Sequence, residues 1–134
     1  MKTDETAVLQ AAFLAGAIVD AGALLPMLVP TVAGVLWGVH DQSWGYQFAM
    51  GYGASLMFGW TLLLLWAAMR PLERRVVAPL TMLVISGLIV TEITGVAFGG
   101  LSAGRLLPTW CLQALLLLWF AWAYQRSGRT AVRR

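Results

Sequence analysis

The sequence predicts an all-α, polytopic membrane protein: an antiparallel bundle of four transmembrane helices, with a short interfacial or re-entrant segment between helices 1 and 2. Hydrophobic residues make up 60% of the 134 residues and charged residues only 11%, a balance far from that of soluble domains. A helix needs about 20 apolar residues to cross ~30 Å of hydrocarbon. Four stretches have about that length and leave no room for a soluble domain: residues 7–29, 46–69, 76–98 and 108–124. We therefore expect residues 1–134 to form one transmembrane domain.

The positive charges predict how the helices are oriented. If the N-terminus is cytoplasmic, eight of the nine Lys and Arg residues lie on the cytoplasmic side and only Arg105 lies on the other. This asymmetry predicts a multi-pass protein of the cell inner membrane with both termini in the cytoplasm. Residues 125–134 then form a basic cytoplasmic tail near lipid head groups, which favours membrane lipid over nucleic acid as the partner.

The first span follows a short tail that contains Lys2, so a cleaved signal peptide is the competing interpretation. The apolar run is too long for a signal peptide, contains Asp20, and follows the acidic pair Asp4 and Glu5. These features favour a retained helix. Pro30 cannot continue that helix, and we expect it to end there.

Residues 31–45 connect the first two spans and are too apolar for an ordinary loop, yet too short to cross a membrane. We predict that their first half forms a short helix or re-entrant piece at the outer interface. Trp37 and Trp44 then lie at head-group depth, as tryptophans of membrane proteins commonly do. Trp110, at the start of the fourth span, is expected in the same outer belt.

Small residues recur at four-residue spacing in three of the spans. In the first span Ala12 and Gly16 are followed in the same register by Asp20. Small residues let helix backbones approach closely, so we expect Asp20 to face another helix rather than lipid. The longer stripes of the second and third spans suit packing within the chain or a homodimer; they consist of Gly51, Ser55 and Gly59, and of Gly87, Thr91, Gly95 and Gly99.

The fourth span has a run of leucines and almost no small residues, which is typical of a lipid-facing helix. It also carries Cys111, the single cysteine of the chain. One cysteine excludes an internal disulfide and a cysteine cluster for metal.

Polar residues of all four spans are predicted to meet in one layer of the outer half. At the helical rise, Asp20 lies ~20 Å and Glu92 ~24 Å from the cytoplasmic helix ends. Thr91 flanks Glu92, while Gln47 and Gln113 reach the same depth from the other two spans. Two carboxylates in a poorly hydrated site do not both ionise cheaply, so one is expected to hold a proton.

His40 and Arg105 belong to the outer loops above this layer, and the Arg105 guanidinium is placed to pair with one carboxylate. The layer is a ligand or proton site, or alternatively interhelical hydrogen bonding without further function. A metal site is a weaker alternative, because it needs His40 to fold onto Asp20 and Glu92. We expect no metal, no cofactor and no catalytic residue, because no nucleophile with an adjacent base, phosphate loop or redox cysteine pair is present.

In size and topology the chain resembles the small multidrug resistance transporters, which also carry a membrane carboxylate in the first helix. It lacks their short first loop and their helix-three motifs. DoxX-like and EXPERA-type bundles are similar in architecture alone. Residues 59–81, with a Gly-Trp-Thr helix end and an Arg-Pro-x-Glu-Arg turn, resemble a segment of small uncharacterised prokaryotic membrane proteins. This resemblance implies a bacterial or archaeal four-span protein and no particular activity.

These observations predict a membrane protein that binds a small apolar or cationic molecule at a polar pocket in its outer half, and that moves it with proton coupling. Two alternatives stay open: a non-catalytic accessory or structural subunit, and a membrane enzyme acting on lipid or isoprenoid with the carboxylates as acid and base. A cavity that reaches both carboxylates favours binding. Direct side-chain bonding without a cavity favours the accessory subunit, and a lateral opening to lipid favours the enzyme.

Overall fold

A computed structural model of the protein describes residues 2–41 and 43–131, with side chains described from residue 5 to residue 128 except at position 42. In this part of the chain there are five helices and no strand, which confirms the all-α class. The helices are α1 (Lys2–Leu28), α2 (Pro30–Leu36), α3 (Trp44–Met69), α4 (Val77–Ala97) and α5 (Ala103–Ala131). All but α2 are long and apolar enough to cross a membrane.

α1 begins before the predicted first span, and α5 extends beyond the predicted fourth span at both of its ends. α5 begins ahead of Pro108, because the backbone N–H groups of Arg105 and Leu106 donate to the Ser102 carbonyl and start the helix earlier. It continues past Tyr124 through most of the predicted tail, and residues 132–134 of that tail lie outside the described residues. Helix length therefore exceeds the apolar length, since polar residues continue a helix that apolar residues have begun.

A short helix between the first two long ones, α2, confirms the predicted interruption of the chain. Val29 is extended and separates it from α1, and Pro30 occupies the first helical position, where a missing N–H has no intrahelical partner to lose. After Trp37, Gly38 adopts a φ of +74°, which few other residues tolerate. This glycine ends α2 and turns the chain toward α3.

α1 is packed along α3 and against α5, and α5 in turn packs against α4. The core between them contains small residues of α1 together with larger side chains, among them Phe13, Leu64 and Phe120. The rings of Phe13 and Phe120 are 5.9 Å apart. α3 and α4 touch little, but the Trp60 indole N–H donates to the Thr81 hydroxyl at 3.3 Å and joins them.

The expectation that the fourth long helix faces lipid is wrong for one of its faces. Phe120 and Ala123 of α5 are fully buried, and Leu116 is nearly so. Leu115 and Leu118, from the same leucine run, are largely exposed. A run of leucines covers all sides of a helix, so it does not tell which side meets a neighbour.

The small-residue stripe of α1 is used inside the chain. A Cβ atom added to Gly16 would lie 3.1 Å from Phe120 Cζ and 3.3 Å from Leu64 Cδ1, so Gly16 packs against α5 and α3. That Asp20, in the same register, faces another helix stays a prediction. Gly59 of α3 and Gly87 of α4 have nothing within 4 Å of such an atom. Much of the α3 and α4 stripes therefore faces away from the described part of the chain.

The two ends of the long helices differ in charge. The "arginine end" holds the α3–α4 turn and the last turns of α5. There the guanidinium of Arg74 lies 3.7 Å from the Trp66 ring, and that of Arg75 lies 4.8 Å from the Tyr124 ring. Arg70 and Glu73 form an exposed ion pair at 3.3 Å. We call the opposite end the α2 end, because it holds α2 together with the start of α3. The start of α5 lies there too, since Arg105 hydrogen-bonds to Gly34.

Candidate functional site

The polar residues that the sequence assigns to one layer, and to the loops above it, occupy four places in the structure. Glu92 and Gln113 meet between α4 and α5, and Thr91 beside them is exposed and donates to the Gly87 carbonyl. Asp20 lies apart on α1. Gln47 lines one groove at the α2 end, and His40 and Arg105 line another. The structure thus brings together two of the four helices at Glu92.

The most interior of these places is the contact between Glu92 and Gln113. The Gln113 side-chain N–H donates to Glu92 Oε1 at 2.9 Å. Gln113 is buried, with 8% of its surface exposed, and Glu92 is half-buried. This bond links α4 to α5 with a donor and an acceptor that are both largely removed from solvent.

Three polar atoms around this bond remain unpaired in the described part of the chain. The second oxygen of Glu92, Oε2, and the side-chain carbonyl oxygen of Gln113 are buried without a hydrogen-bond partner. The indole N–H of Trp110 is also buried and interacts with the Glu92 carboxyl group, outside the geometry of a regular hydrogen bond. We call Glu92, Gln113 and Trp110 the Glu92 cluster.

The helical spacing explains why Trp110 belongs to this cluster. Trp110 and Gln113 are three residues apart on α5, so they lie on the same face of the helix. From its place at the start of the fourth span, Trp110 was expected in the outer aromatic belt and not in the polar layer. The signal that identifies it is its spacing from Gln113, combined with an indole N–H that needs an acceptor when it is buried.

The Glu92 cluster offers two oxygen acceptors, from a carboxyl group and an amide, and one indole donor. An ammonium group can donate to both oxygens, and a hydroxyl group can donate to one of them and accept from the indole. A cation is favoured further by the carboxylate charge and by the neighbouring indole ring.

Asp20 has no such environment. It is half-buried on α1, one turn beyond Gly16, and forms no hydrogen bond or ion pair with any residue in positions 5–41 and 43–128. No hydrogen bond connects it to Glu92 or to Gln113. The two carboxyl groups that share a predicted depth therefore do not form one hydrogen-bonded site.

Gln47 lines a small groove of about 200 Å³ at the α2 end, between the end of α1 and the start of α3. Tyr46 lines the same groove, and its hydroxyl is buried without a partner in the described part of the chain. The remaining lining residues are apolar or glycine: Met27, Leu28, Pro30, Met50 and Gly51. Neither Asp20 nor Glu92 reaches this groove.

His40 and Arg105 line a larger and more open groove of about 490 Å³, which we call the α2 groove. The Arg105 guanidinium donates to the Gly34 carbonyl at 2.9 Å. The predicted pairing of Arg105 with an intramembrane carboxylate is therefore replaced by a bond to the backbone of α2. Because its helix begins before Pro108, Arg105 is directed toward α2 and not over the Glu92 cluster.

The possible metal ligands are dispersed. Within residues 5–41 and 43–128, no three His, Cys, Asp or Glu side chains are grouped closely enough to hold a metal ion. His40 lies in the α2 groove, so the arrangement of His40 with Asp20 and Glu92 is not formed. Cys111 is free and exposed.

The chain matches no protein-family model, no curated protein and no solved structure. We therefore infer a function from the polar side chains and their positions.

Proposed function

We propose that this protein is a multi-pass membrane protein that binds a small apolar molecule through one cationic or hydrogen-bonding group at the Glu92 cluster. The observation that supports this most is a set of three buried polar atoms without a regular hydrogen bond among the described residues, contributed by two helices: Glu92 Oε2, the side-chain oxygen of Gln113 and the Trp110 indole N–H. An unsatisfied buried polar group costs about 1–3 kcal/mol. A ligand that bonds to these atoms recovers that cost. Its entry requires α4 and α5 to move apart, because neither groove at the α2 end reaches the bond between Glu92 and Gln113.

The proposal includes an antiparallel bundle of four membrane-crossing helices with both termini in the cytoplasm of a prokaryotic cell. The distribution of basic residues supports this orientation, since Arg70, Arg74, Arg75 and Arg126 all belong to the arginine end. Three of them stack on aromatic rings, as expected where aromatic and basic residues meet lipid head groups. The α2 end then faces outward.

A proton exchange at Glu92 provides a route from binding to movement. A protonated Glu92 is the cheaper form in hydrocarbon, whereas an ammonium ligand favours the ionised carboxylate. Ligand entry then releases a proton, and ligand exit restores it. Two copies of the chain would provide a longer path, and the open stripes around Gly59 and Gly87 support a homodimer.

A second function, that of a non-catalytic accessory subunit, is favoured by a separate observation. Gln113 bonds directly to Glu92, and neither groove reaches that bond. In this alternative the bond fixes α4 against α5, and no ligand enters.

Ligand binding at Glu92 is tested with the protein purified in an uncharged detergent and two fluorescent probes of the same shape. The probes are 1-naphthylmethylamine, which is cationic at neutral pH, and 1-naphthylmethanol. We expect Glu92→Gln to weaken amine binding at least about tenfold, because the variant keeps an acceptor for Gln113 but removes the charge. Binding is measured by equilibrium dialysis and by quenching of tryptophan fluorescence.

Asp20→Asn is the matched control, because it also removes one carboxylate charge from an apolar helix. Its affinity for the amine is expected to stay within about twofold of the unsubstituted protein. Amine binding that survives Glu92→Gln, or that falls equally in both variants, contradicts the proposed site. A folded protein that binds neither probe, but loses stability when Gln113 is removed, supports the accessory subunit.

A further inference from the structure

The α2 groove is separate from the Glu92 cluster and has the charge of an anion site. Its lining residues are Pro30, Thr31, Gly34, Val35, His40 and Arg105. Two of these side chains are basic and none is acidic. From this arrangement and the contacts described below, we propose that the groove binds the phosphate group of a phospholipid.

Arg105 is held in the groove by the backbone of α2. One terminal nitrogen donates to the Gly34 carbonyl at 2.9 Å. At Gly38 a Cβ atom would lie 2.9 Å from Arg105 Cδ and 3.0 Å from Nη1, so the Arg105 side chain packs directly on this glycine. The guanidinium is thus oriented before a ligand arrives, which reduces the entropy lost on binding.

Most of the hydrogen-bonding capacity of Arg105 remains available. A guanidinium has five N–H donors, and the bond to Gly34 uses one of them. No carboxylate in residues 5–41 and 43–128 forms an ion pair with Arg105. An unpaired guanidinium with a free edge is suited to two parallel bonds with phosphate oxygens.

His40 adds a second donor on the wall formed by Gly34. A Cβ atom at Gly34 would lie 3.0 Å from both Cε1 and Nδ1 of His40, so the imidazole packs directly on the α2 backbone. The adjacent acid, Asp41, does not line the groove. Its carboxylate accepts from the backbone N–H and the hydroxyl of Ser43, at 2.8 and 3.1 Å, at the start of α3.

The surroundings of the groove indicate a lipid rather than a soluble anion. Val35, which lines the groove, is 79% exposed, and Leu28 and Leu36 nearby are more than half exposed. Exposed apolar side chains beside a basic groove match a molecule with a phosphate group and hydrocarbon chains. This inference uses the proposed membrane insertion, but it does not depend on a ligand at Glu92.

The test counts lipids bound to the purified protein by native mass spectrometry from an uncharged detergent. The probes are dioleoylphosphatidylglycerol and dioleoylglycerol, which has the same chains without phosphate. We expect one phosphatidylglycerol to bind more tightly than the others, and Arg105→Gln to weaken that first site at least about tenfold. Dioleoylglycerol is expected to show no such site.

Arg126→Gln is the matched control, because it removes the same charge from the arginine end, where Arg126 stacks on Trp122. Its effect on the first site is expected to stay below about twofold. Equal losses in the two variants indicate unspecific attraction and overturn the proposal. Full displacement of the lipid by an equal concentration of inorganic phosphate identifies a soluble anion as the ligand and also overturns it.

His40→Gln and Gly38→Ala keep the inference testable if Arg105→Gln does not fold. His40→Gln leaves the bond between Arg105 and Gly34 intact and is expected to weaken the first site about threefold. Gly38→Ala places a Cβ atom against the Arg105 side chain and also strains the turn at φ +74°, without changing charge, and we expect a loss close to that of Arg105→Gln. Unchanged affinity in both folded variants contradicts a site in this groove.

Discussion

Asp20 of α1 and Glu92 of α4 are the same kind of group in two different environments. Each is a half-buried carboxylate in a long apolar helix. Glu92 accepts a hydrogen bond from Gln113 and has Trp110 beside it, whereas Asp20 has no hydrogen bond or ion pair in the described part of the chain. The difference arises from the neighbours: α5 presents an amide to α4, and no facing helix presents a polar partner to Asp20.

Burial of the carboxylate is unfavourable at both positions, but only Glu92 has neighbouring polar groups, among the described residues, that offset part of the cost. A carboxylate in the centre of a membrane helix is unfavourable by about 2.5–3.5 kcal/mol on insertion scales. At Glu92 a hydrogen bond offsets part of that cost and leaves one oxygen for a ligand. At Asp20 no hydrogen bond or ion pair with residues 5–41 and 43–128 offsets it.

The largest expected effect is a loss of stability when the close packing of the Gly16 face of α1 is disrupted. Gly16 lies one turn before Asp20 and is closely packed against Phe120 and Leu64, so Gly16→Leu is expected to lower the free energy of unfolding by about 3 kcal/mol. Gly59→Leu is the control, because nothing lies within 4 Å of its added Cβ and both variants gain the same helix propensity. Unfolding in detergent by steric trapping measures both; similar values would remove the evidence that this face of α1 is buried.

A second prediction replaces each acid with leucine. Asp20→Leu is expected to raise the free energy of unfolding by about 2 kcal/mol, because it removes a charge and loses no hydrogen bond. Glu92→Leu also removes a charge, but it leaves the buried Gln113 amide unpaired, so its net effect is expected to stay within about 0.5 kcal/mol. Equal stabilisation of both variants in the same unfolding measurement would show that the Glu92–Gln113 bond contributes nothing.

The smallest expected effect is the coupling of each acid to Gln113. In a double-mutant cycle, Glu92→Ala and Gln113→Ala should show an interaction of about 1 kcal/mol, as interhelical hydrogen bonds in membranes do. Asp20→Ala and Gln113→Ala should add within about 0.3 kcal/mol. Gln125→Ala, an exposed glutamine on the same helix, serves as the control for Gln113→Ala. Strong coupling of Asp20 to Gln113 would show that the two side chains belong to one polar layer, as the sequence predicts.

Most helices could be predicted from the sequence because they depend on local properties. Apolar length and the position of Pro30 identify the long helices and the short segment between the first two of them. The burial of Gly16 follows from its spacing with Ala12, since small residues at four-residue spacing share a helix face. The extra length of α5 was missed because polar residues at a helix end carry no hydropathy signal.

The candidate site could be predicted only in its members and not in its arrangement. Counting residues placed Gln113 and Glu92 at similar depth, and these two do meet. The same counting placed Gln47 and Asp20 with them, yet Gln47 lines a groove at the α2 end and Asp20 stays apart. Depth along a helix follows from the number of residues, but depth alone says nothing about the direction in which a side chain faces.

By itself, the sequence determined the all-α class, the four long apolar helices and the inward face of α1, because apolar length and residue spacing act within one helix. Only the tertiary structure decided that α1 packs against α3 and α5, and that α4 packs chiefly against α5. Those neighbours determine which polar groups come within bonding distance. Glu92 therefore has a partner in Gln113, Arg105 has one in Gly34, and Asp20 has none among the described residues.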